Sequence, residues 1–198
     1  GETNCSDQGA CSCSGCTDHL ADNYDSGEMV VDDGSCHYTY TVSDGESIQS
    51  VIEIAQAGDS ILVEPGFYPQ NITIAKDIVL ISTDPLHPEL TIIEASGFGG
   101  TVISIENSSP TISGFTIANG DGNNGGGIAV YNGSPELSKL LIIGNHATRG
   151  GGIYSNAAFP ELINVTIVEN TASMGASLYF SEGSHPVINS SILFFGFG

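Results

Sequence analysis

The sequence predicts an all-β fold in which short parallel strands wind into a coil of about 25 residues per turn, and three observations predict it. First, a Pro-led apolar segment occurs four times, as SPTISGFTI (109–117), SPELSKLLI (134–142), FPELINVTI (159–167) and HPVINSSIL (185–193). Its prolines, Pro110, Pro135, Pro160 and Pro186, are spaced by 25, 25 and 26. Second, GGIAV at Gly126, GGIY at Gly151 and ASLY at Ala176 keep the same step and put Ile128, Ile153 and Leu178 in register. Third, Asn119, Asn145 and Asn170 each follow an apolar strand. Separate markers on one period mean a structural repeat, and a period this short with no recurring helical stripe rules out a helical solenoid.

In such a coil each turn stacks on the next at about 4.8 Å, so equivalent positions form columns of like residues. Ile128, Ile153 and Leu178 are then one interior column. The asparagines fit either an amide ladder between turns or ordinary turn positions that tolerate left-handed backbone. The glycine pairs at 125–127 and 150–152 mark corners where a Cβ would clash.

Ahead of the repeats, ESIQSVIEIAQAG (46–58) predicts one short amphipathic helix, with Ile48, Val51, Ile52 and Ile54 or Ala55 on one face and Gly58 as a stop. DSILVEPGFY, NITIAKDIVLIS and LTIIEAS are rich in β-branched residues, and Gly, Pro, Asn and Asp separate them, so they predict strands. NGDGNNGGG, which contains Asp121, reads as a flexible loop; His146 reads as a turn residue, and Arg149 as a lone turn arginine preceding a strand.

Composition changes near residue 40. Residues 1–46 hold all five cysteines and ten of the 23 acidic residues but no Lys or Arg, and the three basic residues lie in the remainder. This predicts a Cys/Asp-rich module over 1–40 and the coil over 46–198. The net charge of −20 repels phosphate backbones and anionic headgroups, which argues against nucleic acid and membrane surfaces as partners. No stretch approaches the roughly 18 consecutive apolar residues of a spanning helix.

GDSILVEPGFY (58–68), with the helical segment before it, resembles the start of right-handed parallel β-helix proteins of the pectate-lyase-like superfamily. The resemblance covers 46–198 and implies that fold. It implies no single activity, because one scaffold hosts many functions. The lyases and hydrolases of that fold imply catalysis by Arg or Lys bases or by clustered carboxylates; only Lys76, Lys139 and Arg149 are basic, and the repeats contain no Asp-Asp pair.

GCTDHLADNYDSGEMVVDDGSC (15–36) resembles the GCTD…DDGSC module of surface and secreted proteins exported by bacterial type IX systems. That resemblance implies a Cys16–Cys36 disulfide, closing a loop of 21 residues with a stabilisation of about 3 kcal/mol. Cys5, Cys11 and Cys13 are left as an odd set. A zinc reading draws on Cys11, Cys13, Cys16, His19, Cys36 and His37, although only Cys13 and Cys16 have C-x-x-C spacing. Asp18, Asp22, Asn23, Asp25, Asp32 and Asp33 offer hard oxygen ligands for Ca²⁺ within one closed loop, or else solvate a loop without a core.

The expected function is therefore that of a non-catalytic secreted or cell-surface β-helix, an adhesin-like or structural stalk that contacts glycan or another extracellular protein and engages the type IX machinery for export. One rival is a polysaccharide lyase or hydrolase whose catalytic coils lie beyond residue 198. The other is a structural subunit that self-associates through its last coil, where SSILFFGFG shows no polar cap and the repeat is expected to continue.

Overall fold

The structure, a computed structural model, describes residues 13–27, 30–181 and 183–194. The chain divides into two compact units, residues 1–39 and residues 40–198.

In the first unit the strands Cys13–Gly15 and Val30–Asp32 pair in parallel. Cys16 and Cys36 form a disulfide, with Cα atoms 4.7 Å apart. The side chain of Asn23 ties the ends of this loop, donating from Nδ2 to Ser35 O and accepting at Oδ1 from the His37 N–H. Cys5 and Cys11 lie outside the described residues, as does the side chain of Cys13.

The second unit is a right-handed parallel β-solenoid of about six turns. It begins with the helix Ile48–Ile54, capped at its N-terminus by the Ser47 hydroxyl, which accepts from the Ser50 N–H. At the other end the Lys76 ammonium donates to the carbonyls of Ile52, Glu53 and Ala55, over 2.6 to 3.0 Å, supplying the cation that the last turn itself lacks. Ile48, Ile52 and Ala55 face the core, whereas Ile54 is 59% exposed, so Ala55 and not Ile54 completes the apolar face.

Three turns cross four sheets, and the turns before them, starting at Ser60 and Val79, cross three. The turn starting at Thr111 runs through Thr111–Ser113 in sheet 1, Thr116–Ala118 in sheet 2, Asp121–Asn124 in sheet 3 and Ile128–Tyr131 in sheet 4. Sheets 1, 2 and 4 contain seven, six and five strands; sheet 3 contains three. Pairing repeats at a step of 25, with Ile112 beside Leu137, Ile117 beside Ile142 and Ile128 beside Ile153. The prolines immediately precede the sheet 1 strands. They lack an N–H, yet the carbonyls of Pro110, Pro135 and Pro160 accept from Glu136, Glu161 and Val187 in the next turn. The 26-residue step is absorbed between sheets 4 and 1: Leu178 still pairs with Ile153, and the added residue falls before Gly183.

Interior columns run through the turns. Sheet 4 supplies Ile72, Ile103, Ile128, Ile153 and Leu178, and sheet 2 supplies Ile93, Ile117, Ile142 and Ile167. All of these except the partly buried Leu178 belong to one buried cluster, each contributing about 2 kcal/mol of burial.

The corners explain how so short a turn closes. Left-handed backbone recurs at four positions per turn: at Asn119, Gly144 and Glu169; at Gly125, Gly150 and Gly175; at Asn107, Asn132, Ala157 and Gly183; and at Gly114, Lys139, Asn164 and Ser190. All eight non-glycine residues with positive φ among the described residues are in these columns. At the neighbouring Gly126 a Cβ would come within 2.5 Å of the His146 carbonyl oxygen, so the backbones there pack too closely for any side chain.

One turn departs from the step. The sheet 1 strands Val79–Ser82 and Thr111–Ser113 pair in register although their first residues are 32 positions apart, seven more than the repeat. Eight additional residues, 83–90, lie between Ser82 in sheet 1 and Thr91 in sheet 2, and the turn recovers one of them between sheets 2 and 4, where Ile93 to Ile103 is one residue shorter than Ile117 to Ile128.

Candidate functional site

Sheet 3 is the face that the sequence concealed. Its strands, Asp121–Asn124, His146–Arg149 and Thr171–Met174, alternate small inward residues with polar outward ones. Gly122, Ala147 and Ala172 face inward, and at Gly122 a Cβ would approach the Gly125 carbonyl oxygen to 2.6 Å. Outward, Asp121, His146 and Thr171 form one row, and Asn123, Thr148 and Ser173 another, all of them exposed. His146 Nδ1 lies 2.8 Å from Thr171 Oγ1, and the Thr148 hydroxyl donates to Asn123 Oδ1 at 3.5 Å. Asp121 is thus part of a strand and not of a flexible loop. His146 sits within a strand and not in a turn, and Arg149 ends that strand beside Asn124 and Met174. Short strands rich in Gly, Asn and Thr carry little β signal of their own, and stacking between turns decides their conformation.

On the outward side of sheet 4, the next face round the coil, Tyr131, Tyr154 and Tyr179 make an aromatic strip. Their ring centroids are 5.7 and 5.8 Å apart, and the rings of Tyr154 and Tyr179 are nearly parallel. Tyr154 is only 3% exposed, and its hydroxyl accepts from Asn156 Nδ2 at 3.2 Å. Tyr131 and Tyr179 remain half-exposed.

A third feature lies at the corner between sheets 1 and 2, where the inserted segment walls a groove of about 410 Å³. Pro85, Leu86 and Pro88 line one side, and residues 139–141 of the following turns line the other, with Asn164 and Thr166 beyond them. The wall is anchored at several points. Thr116 Oγ1 donates to Pro88 O at 2.9 Å, the Asp84 N–H donates to Ser82 Oγ, and His87 Nδ1 lies 2.9 Å from Asp84 Oδ1. That contact, a hydrogen bond reinforced by the Asp84 charge, raises the His87 pKa above its ordinary value. Gly114 is required under the wall, because a Cβ there would meet Pro85 Cα at 2.4 Å.

The residues proposed for Ca²⁺ are engaged locally. Asp18 accepts from the Leu20 N–H and from the Tyr38 hydroxyl, and these two bonds, in that order, lower its pKa. Asp22 accepts from Thr39 Oγ1, Asp25 from the Gly27 N–H and Asp32 from the Gly34 N–H. Asp33 accepts from the Ser35 N–H, and its bonds to Ser35 hold its carboxyl below the usual range. Among the described residues no three His, Cys, Asp or Glu side chains converge as a metal-binding group. Cys16 and Cys36, being oxidised, offer no thiolate to zinc.

Of the three asparagines, the structure joins two. Asn145 donates from Nδ2 to Asn170 Oδ1 and to Ile117 O, and Asn170 Nδ2 donates to Ile142 O. Asn119 stands one position before that column, aligned with Gly144, and bonds instead to Glu94 Oε2. The column continues at Gly120, whose N–H donates to Asn145 Oδ1 at 2.9 Å. Glycine can end the amide column because only its backbone is needed there.

Protein-family models, curated proteins and solved structures gave no match to this chain.

Proposed function

We propose that this chain is a non-catalytic extracellular or cell-surface protein whose solenoid presents sheet 3 as a contact surface for neutral, hydroxyl-rich glycans. The observation that carries the reading is the pair of in-register outward rows, Asp121–His146–Thr171 and Asn123–Thr148–Ser173. Adjacent turns space these donors and acceptors at about 4.8 Å on a rigid face, so a polymer meets several weak hydrogen bonds at once without ordering the protein. Tyr131 and Tyr179, partly exposed at either side of the buried Tyr154 on the neighbouring sheet, add aromatic surface for sugar rings. A net charge of −20 favours a neutral polymer over an anionic one.

The Cys16–Cys36 disulfide supports an oxidising compartment. The sequence likenesses of 58–68 to pectate-lyase-like β-helices and of 15–36 to type IX cargo modules support export to the surface on such a scaffold. Glycan-array binding of the protein against that of a Thr148→Ala/Thr171→Ala/Asn123→Ala variant tests the reading. Binding of neutral glycans that the variant loses supports it. Equal binding by both, or turnover of a bound polysaccharide, overturns it.

A further inference from the structure

The groove between sheets 1 and 2 holds the combination that an amphiphilic anion requires. Its walls are apolar: Pro85 and Leu86 come from the inserted segment and Leu141 from the coil, and Leu86 is 74% exposed. Leu86 thus stands at the rim of the groove, where a bound apolar chain would cover it. At 410 Å³ the groove falls in the size range of small-ligand sites, about 300 to 1,000 Å³.

Its polar residues decide which ligand. Lys139, Asn164 and Thr166 line the same space. Of the chain's three basic residues, Lys76 is consumed by three backbone carbonyls, while Lys139 donates its backbone N–H to Ile163 O and its ammonium makes no hydrogen bond or ion pair among the described residues. Lys139 is also held at a left-handed corner, with φ of 51°. Glycine or asparagine would sit there with less strain, so backbone geometry does not account for a lysine. In a chain with 23 acidic residues, an unpaired ammonium beside an apolar groove is the complement of a carboxylate.

We propose that this groove binds a medium-chain fatty acid, the acyl chain along Pro85, Leu86 and Leu141 and the carboxylate at Lys139 beside Thr166. The site is separate from the sheet 3 surface and does not depend on the glycan reading. Because the net charge opposes any anion, the acyl contact supplies most of the affinity and Lys139 the selection of a carboxylate head.

The test is titration of the full chain with decanoate, followed by amide chemical shifts, with decanol, decyltrimethylammonium and an acetylated apolar tripeptide acid as comparisons. Saturable shifts at residues 85–88, 139–141 and 164–166 are expected with decanoate. Lys139→Gly, which suits the left-handed backbone and so preserves the fold, should weaken decanoate by about tenfold, as expected for loss of one charge-assisted bond. Leu86→Asp, at an exposed position, should abolish binding. Decanol or the cationic amphiphile binding as tightly as decanoate, unchanged binding by either variant, shifts elsewhere, or binding of the peptide without decanoate would each overturn the proposal.

Discussion

Asn145 donates through both its backbone N–H and its side-chain amide to one atom, Asn170 Oδ1, at 2.9 Å each. Both residues are buried, so neither donor has access to water. Asn170→Ala removes the acceptor from two buried donors and also strips the Ile142 and Val168 carbonyls of their partner amide. The expected loss is about 3 kcal/mol by denaturant unfolding. Asn123→Ala, on the exposed row, should stay within about 0.5 kcal/mol, and a cost below that for Asn170→Ala would remove the amide column from the list of stabilising features.

Glu169 occupies a corner with φ of 55°, in the column where Gly144 sits with φ of 66°. A left-handed non-glycine residue costs about 1 to 2 kcal/mol, partly offset by the greater chain entropy that glycine loses on folding. Glu169→Gly should therefore stabilise the protein by about 0.5 to 1 kcal/mol, read as a raised unfolding midpoint. Gly125→Ala tests the opposite sign: its Cβ would lie 2.3 Å from the Ile128 carbonyl oxygen, and destabilisation by more than 2 kcal/mol or so is expected. Equal effects from the two changes would show that corner geometry does not govern stability.

Within the first unit, Cys16 and Cys36 close a loop with few buried apolar residues, Cys16 and Ala21 among them. A paired Cys16→Ser/Cys36→Ser variant should lower the stability of this unit by about 3 kcal/mol, enough to unfold so small a segment. Hydrogen exchange should then become fast over residues 14–38 while the interior columns of the solenoid stay protected. Retained protection over 14–38 would mean that the loop holds its shape without the bond.

The wall of the groove should loosen with rising pH. His87 has its pKa raised above the ordinary 6.5, first by its hydrogen bond to Asp84, then by the Asp84 charge and, more weakly, by that of Glu89. A raised folded pKa means that the clamp contributes fully below 6.5 and is lost as pH climbs through the folded value. Amide exchange at residues 85–88, corrected for its intrinsic pH dependence, should accelerate as pH rises from 6.5 through the raised folded value. The Asp84→Asn variant should show no such step; a step of the same size in both would assign it to another group.

Much of the architecture was legible because stacking converts interior positions into a strict period. Ile128, Ile153 and Leu178 announce sheet 4, and the prolines announce the start of sheet 1. Sheet 3 was illegible for a local reason: Asp-Gly-Asn-Asn has the composition of a turn and becomes a strand only because His146–Arg149 lies against it. Asn119 was misplaced by one position, since an amide following an apolar strand fits both the left-handed corner and the column beside it, and only the neighbouring turn separates the two. The groove left no trace, because Leu86 and Thr166, which both line it, stand 80 positions apart in sequence.

The eight-residue excursion between Ser82 and Thr91 leaves the pairing of Ile81 with Ser113, and of Ile92 with Thr116, undisturbed. Loop length at that corner is thus uncoupled from the scaffold, and each turn offers the same port. A lineage could alter what such a protein recognises by lengthening one corner, and an engineer could graft a foreign peptide between Ser138 and Leu141 on the same terms. Recognition could then diversify without the fold having to be rediscovered.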